Sequence, residues 1–214
     1  MLKQSVFSFS SGMMLMECLF AIVISGILFL CIGRAYPQIT NTLIHSYQQY
    51  QLDIFLRERL LVLETQLRRI GYCYGDCVNT LKPNGMQESP LKIGQYPHQE
   101  KSTCIIFAYD INSNGRWDSP SSKESDYFGY RLKKGQLEQL RGVKDCASSG
   151  WQQFFENNEI EVTEFILQPY SKTYFVKKNP YFYLSISLKF HLKQKPEIKS
   201  YYQNIIRLRN VTAL

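Results

Sequence analysis

Residues 13–32 form an apolar run that holds one charged side chain, Glu17. At about 1.5 Å rise per residue the run covers roughly the 30 Å hydrocarbon core of a bilayer, so it predicts a membrane-spanning helix. Further on, Leu52, Phe55, Leu56, Leu60, Leu63, Leu67 and Ile70 recur at spacings of three and four. That recurrence lays an apolar stripe on one helical face, and Gly71 stops it. Pro37 falls between the two patterns and is expected to kink the helix rather than end it, because the periodicity resumes afterwards. One helix over 13–70 follows, about 85 Å long. The stripe is too short for a coiled-coil seam and aims at the chain's own sheet.

After Gly71 the pattern changes period. Residues 72–101 carry Pro83, Asn84, Gly85, Pro90 and Pro97, which exclude a long helix and predict a loop-rich connection. Residues 104–109 are a buried-strand run, and 127–132 with 136–141 form two short strands around Lys133, Lys134 and Gly135, a hairpin signal. A short helix is expected over 151–157. Strands are expected over 160–167, over 181–192 with alternation at Phe182, Leu184, Ile186, Leu188, Phe190 and Leu192, and over 201–210. This order of elements favours an α+β fold: a long N-terminal helix, its first half in the membrane, packed by its second half on an antiparallel sheet like a lollipop.

Length adds a bound: 214 residues, less a leader and a membrane helix, leave enough chain for one domain with a core. The formal net charge is +7. Nine Lys or Arg lie in residues 166–214 against one acid, Glu197, so the excess sits in the C-terminal quarter. Such a region suits nucleic acid, acidic lipid headgroups or an acidic partner, and a solvated basic face is the simpler reading. No enzyme constellation emerges. His45, His98 and His191 stand apart from any nucleophile, and there is no glycine-rich phosphate loop, paired-His zinc motif or serine elbow.

The N-terminus carries its own information. Twelve mostly polar residues ending in Gly12 precede the apolar run, and Glu17 is the fifth residue after that glycine. A secretory signal peptide puts its small-residue cleavage site after the apolar region, so this order is not one. It resembles the class III leader of type IV prepilins and type II secretion pseudopilins. The resemblance implies that a membrane prepilin peptidase cuts between Gly12 and Met13 and methylates the Met13 amine, leaving 1–12 as leader, 13–33 as the membrane half of the helix, 34–70 as its amphipathic half and 71–214 as a periplasmic domain. Met13 stands where that family favours Phe, and Lys3 is the leader's one basic side chain. In that family the Glu17 equivalent pairs with the mature amine of a neighbouring subunit. Such a pairing has a physical basis, since a carboxylate in a dry helical bundle is stabilised by a cation brought close.

Further along, Tyr109, Asp110, Ile111 and Asn112, then Gly129, Tyr130, Arg131 and Leu132, then Trp151, and last Arg207, Leu208, Arg209 and Asn210 after an apolar strand resemble the minor-pilin subgroup called prepilin peptidase-dependent protein B. That subgroup is akin to J-type pseudopilins and W-type minor pilins. The resemblance implies a single-pass inner-membrane subunit with no enzymatic activity, found in a tip complex that primes a pilus or pseudopilus. The implied partners are other minor pilins, the major pilin, the prepilin peptidase and the inner-membrane assembly platform. The alternative is a DNA-contacting competence or adhesin subunit that uses the basic C-terminal region and its tyrosines.

Two sets of residues remain. Cys18 and Cys31 lie in the apolar helix and are read as reduced and structural. Cys73, Cys77, Cys104 and Cys146 lie beyond it, and an even number in an exported domain suggests two disulfides with three possible pairings. Cys73 with Cys77 and Cys104 with Cys146 is favoured, because the second pair would tie a strand to the far end of the hairpin that follows. Zinc is disfavoured, since neither a second close pair nor clustered His follows, and thiol redox chemistry is disfavoured by the three-residue gap. Asp110, Asn112, Asn114, Gly115 and Asp118 fall at positions one, three, five, six and nine of a calcium-loop pattern. Position twelve is Ser121 rather than Glu, so any Ca²⁺ binding is expected to be weak. The competing reading is an Asn-Gly turn whose side chains bond their own backbone.

Overall fold

The computed structural model describes residues 15–75, 77, 89–97, 102–155, 159–174 and 177–212. They divide into two units, Met1–Tyr47 and Gln48–Leu214. The described part of the first is helical throughout and belongs to α1, Leu15–Arg68, which runs through Pro37 as one element. Its apolar stretch is long enough to cross a membrane, and its large side chains, among them Phe20, Val23, Ile27 and Leu30, are exposed. Apolar exposure of this kind suits a helix whose surroundings are themselves apolar.

In the second unit the stripe read from the sequence turns inward. Leu52, Leu56, Leu60, Leu63 and Leu67 are buried, and Ile70 follows them into the core. Each leucine contributes about 1.5–3 kcal/mol by leaving water. Gly71 takes a left-handed conformation (φ 78°) just past the helix, and its amide donates to the Ala108 carbonyl at 2.8 Å. A Cβ there would lie 2.5 Å from the Asn210 carbonyl oxygen, so both conformation and space require glycine.

Two antiparallel sheets share this core where a single sheet is expected from the sequence. The first has the order β1 (Leu91–Gly94), β2 (Cys104–Ala108), β3 (Tyr127–Lys133), β4 (Gln136–Arg141) and β5 (Gln152–Gln153). The second has the order β6 (Ile160–Tyr174), β7 (Lys177–Leu192) and β8 (Lys195–Leu208). Isolated backbone bonds join them, from Val162 to the Gly135 carbonyl at 2.8 Å and from Leu167 to that of Ser102 at 3.1 Å. Both donors lie on β6, and both acceptors lie outside the ladders of the first sheet, at Gly135 in the β3–β4 turn and at Ser102 before β2.

The β3–β4 turn is the two-residue type that strand twist favours, with Lys134 at φ 48° and Gly135 at φ 74°. On β7, Leu184, Ile186, Leu188 and Phe190 are buried, as their alternation requires. Other boundaries differ from the sequence reading. The loop-rich connection contains β1, β6 runs on past 167, and β7 and β8 start before 181 and 201, with β8 stopping at Leu208. Over 151–155, the described part of the expected helix at 151–157, Gln152 and Gln153 instead pair with β4, and the Phe154 amide continues the contact by donating to the Leu137 carbonyl at 2.9 Å. Phe154 and Phe155 both fill the core, linking Tyr130 to Phe190 through edge-to-face ring contacts.

Strand β2 is buried on both faces. Ile105 and Phe107 join the helix-facing core, whereas Cys104 and Ile106 meet Val143 in a smaller cluster on the opposite side. Tyr127, Leu140, Cys146 and Trp151 pack against that cluster. The segment between β4 and β5 therefore acts as a cover for the back of the first sheet.

Candidate functional site

Three places carry the chemistry singled out in the sequence: the start of α1, the cover over β2, and the loop after Tyr109. Glu17 is in the first turn of α1, exposed, in the membrane-compatible part of the helix. Gly12 and Met13 lie outside the described residues. Cys18 and Cys31 are exposed and unbonded on the same helix.

The cover is held covalently and electrostatically. Cys104 is bonded to Cys146, closing a sequence separation of 42 residues. Beside that bond sits Arg131, whose side chain is 4% exposed. Its Nε donates to Glu138 Oε2 at 2.7 Å, and its Nη1 donates to the carbonyls of Cys146 at 2.6 Å and Ser148 at 3.3 Å. The guanidinium also lies between two rings, 4.6 Å from the centroid of Tyr96 and 4.4 Å from that of Trp151. A buried cation needs this density of partners, because desolvation otherwise exceeds the gain from a single ion pair. Gly129 completes the arrangement: a Cβ on it would come 2.9 Å from Trp151 and 3.1 Å from Val143. On the opposite face of β3, the Tyr130 hydroxyl donates to Gln66 Oε1 of α1 at 2.7 Å. Burial pushes that phenol far above its ordinary pKa, so it stays a donor at any physiological pH.

The sequence reading missed Arg131 as an anchor, although a signal was present. A two-residue turn at 134–135 pairs 133 with 136 and hence Arg131 with Glu138, the register observed. Tyr96 had no such signal, since it comes from a distant loop.

The loop after Tyr109 is organised by two buried carboxylates, Asp110 and Asp126. Asp110 Oδ1 accepts from the Asn114 amide at 3.1 Å, and Oδ2 accepts from the amides of Gly115 at 2.9 Å and Tyr74 at 3.1 Å. The last bond ties the loop to the short segment closed by the Cys73–Cys77 disulfide. Asp126 accepts from the amides of Ile111 at 3.1 Å and Asp118 at 2.9 Å. Burial raises the Asp126 pKa, with the charges of Asp118 and Asp110 adding to the effect. Asp118 Oδ2 accepts from the Asn114 and Asn112 side-chain amides at 2.8 and 3.3 Å, and these bonds together with Arg116 hold its pKa below the ordinary range. Asp110 thus spends both oxygens on backbone amides, whereas the side chains of exposed Asn112, Asn114 and Glu124 gather with half-buried Asp118 in a separate cluster.

A long N-terminal helix, apolar at first and amphipathic later, leading into antiparallel sheets is the plan of a pilin-like subunit. The chain matches the family model described as prepilin peptidase-dependent protein B over residues 45–208. Among curated proteins, it is 33% identical over 154 residues to the prepilin peptidase-dependent protein B of Escherichia coli strain K12, covering 72% of this chain and 75% of that protein. No solved structure matches. The chain belongs to the prepilin peptidase-dependent protein B family. The family match begins after the membrane-compatible stretch, so the Gly12 and Glu17 pattern is an observation separate from it.

Proposed function

We propose that this chain is a minor pilin or pseudopilin, a structural subunit of a tip complex that primes assembly of a type IV pilus or a type II secretion pseudopilus. The observation that carries the reading is the conjunction of family membership with a single apolar N-terminal helix holding Glu17 in its first turn. On this reading the prepilin peptidase cleaves between Gly12 and Met13 and methylates the Met13 amine. The helix then anchors the subunit in the inner membrane with residues 71–214 in the periplasm. Glu17 meets the mature amine of a neighbouring subunit as the helix leaves the membrane, which sets axial register. Its partners are other minor pilins, the major pilin and the assembly platform, and the subunit does no chemistry of its own.

Two substitutions test this. Gly12→Val should leave a precursor heavier by the leader on a gel, because a peptidase pocket shaped for glycine has little room beyond Cα. Glu17→Ala removes an intramembrane charge, so the variant should remain in the membrane fraction while filament number falls. Normal maturation of Gly12→Val, or full filament assembly with Glu17→Ala, would overturn the reading.

A further inference from the structure

The three long strands present one face to the core and another to the outside, and the outer face has a distinct chemistry at one end. The register sets Tyr170 of β6 beside Tyr183 of β7, and Tyr183 beside Arg207 of β8. The two tyrosine rings stack, with centroids 5.4 Å apart and planes 17° from parallel. Arg207 holds its guanidinium 4.4 Å from the Tyr181 ring, and Lys172 holds its ammonium 5.7 Å from that of Tyr170. Arg207 and Lys172 are exposed and the tyrosines half-exposed. Ser185 follows on β7, leaving low ground beside the rings, and Ile205 opposite it is 55% exposed.

The charge on this sheet is divided along the strands. Its described carboxylates, Glu161, Glu164 and Glu197, lie toward the other end. Glu164 is paired there with Lys189 at 2.6 Å, and Glu161 lies 3.5 Å from His191. Six residues of β6, about 20 Å, separate Glu164 from Tyr170. The tyrosine end therefore offers aromatic surface and positive charge with no described carboxylate of the three strands near it. A solvated basic face has no use for stacked, half-buried rings between its charges. A surface meant for a neutral apolar partner has no use for the cations.

From this juxtaposition we infer that the outer face of the β6–β8 sheet, at Tyr170, Tyr181, Tyr183, Lys172 and Arg207, binds a single-stranded nucleic acid. Bases pack against the tyrosines and the Arg207 plane, while Lys172 and Arg207 neutralise phosphates. Single strands suit such a face because every base has a stackable surface, whereas a duplex hides its bases and presents only charge. Binding of this kind tolerates sequence and weakens steeply with salt.

The test uses the full-length chain in neutral detergent and a fluorescent thymidine oligomer of about 16 nucleotides, followed by anisotropy. The wild-type chain should bind the oligomer more tightly than a duplex of equal length. Tyr170→Ala with Tyr183→Ala should weaken binding about tenfold or more, and Tyr170→Phe with Tyr183→Phe should retain it. Lys172→Gln with Arg207→Gln should weaken binding and reduce the slope of log affinity against log salt by about 1.4, two phosphates' worth for a single strand. Thermal melting of each variant separates loss of the face from loss of the fold. If the alanine pair does not fold, the exposed Lys172 and Arg207 substitutions decide alone. The inference is overturned if the oligomer does not bind at about 50 mM salt, if heparin or duplex competes as well as the single strand, or if all variants bind alike. It is also overturned if the oligomer fails to bind while the tyrosine variants lose filament assembly, which would assign the face to another subunit.

Discussion

Strands β1 to β5 run four, five, seven, six and two residues, whereas β6, β7 and β8 run fifteen, sixteen and fourteen. The short-stranded sheet carries the Cys104–Cys146 bond, the buried Arg131–Glu138 pair and the Tyr130 tether to α1. In the long-stranded sheet, the described residues include no disulfide and no fully buried charge. Strand length accounts for the difference. Long strands accumulate many ladder bonds and cross-strand pairs, and their inner face alone supplies a row of core residues. Short strands gain little from pairing, so the sheet they form depends on crosslinks between segments far apart in sequence. What the long sheet does not need for its own stability it leaves on its outer face.

The comparison breaks most sharply at the disulfide. Replacing Cys104 and Cys146 by Ser should destabilise the second unit by about 4 kcal/mol, the chain-entropy value for a loop of this length. Hydrogen exchange should then show β2, β3 and the 142–151 segment losing protection before β6 to β8. Simultaneous loss in both sheets would mean that they form one cooperative element and that their different bracing has no energetic counterpart.

A somewhat smaller effect is expected at Arg131. Arg131→Ala leaves the Glu138 carboxylate in a largely buried site without its cation and should cost about 3 kcal/mol in denaturant unfolding. Arg131→Met keeps the packing between Tyr96 and Trp151, and combined with Glu138→Gln it should recover much of that loss. Equal destabilisation by Arg131→Ala alone and by the repacked pair would show that charge burial is not what the site manages.

The smallest effect concerns pH and the helix-facing side of β8. Partial burial opposes ionisation of Glu64, but bonds from Arg68 Nε at 3.0 Å and from the Tyr202 hydroxyl at 3.1 Å outweigh it and hold the pKa below the ordinary value. A carboxyl lowered on folding adds stability that is present above its unfolded pKa and is lost as pH falls through the folded one. Asp118, through its bond from Asn114, and Glu164, through its bond from Lys189, act in the same direction. Asp126, raised by burial, subtracts from the sum. Melting temperature should therefore fall as pH drops below about 4, where these carboxylates protonate. Tyr202→Phe should lessen that fall slightly, and an unchanged slope would remove Glu64 from the account.

Much of this was legible in the chain. The leucines of α1 and the alternation along β7 declare which side faces inward, because contacts within a helix or strand repeat at fixed periods. The residues Lys133, Lys134 and Gly135 declare a hairpin, and the pairing of Arg131 with Glu138 follows once the turn is narrowed to Lys134 and Gly135. Asp110 was legible as a polar turn residue but not as the acceptor of the Tyr74 amide, since that donor lies on the other side of a long connection. The division into two sheets, the strand at Gln152–Gln153 and the place of Tyr96 over Arg131 belong to tertiary structure alone. Local periodicity fixes which face of an element is apolar, whereas the partner of that face is settled when segments distant in sequence compete for one core. The same holds for Tyr170, Tyr183 and Arg207: each strand placed its residue outward by alternation, and only the pairing of three strands set the rings and the cation side by side.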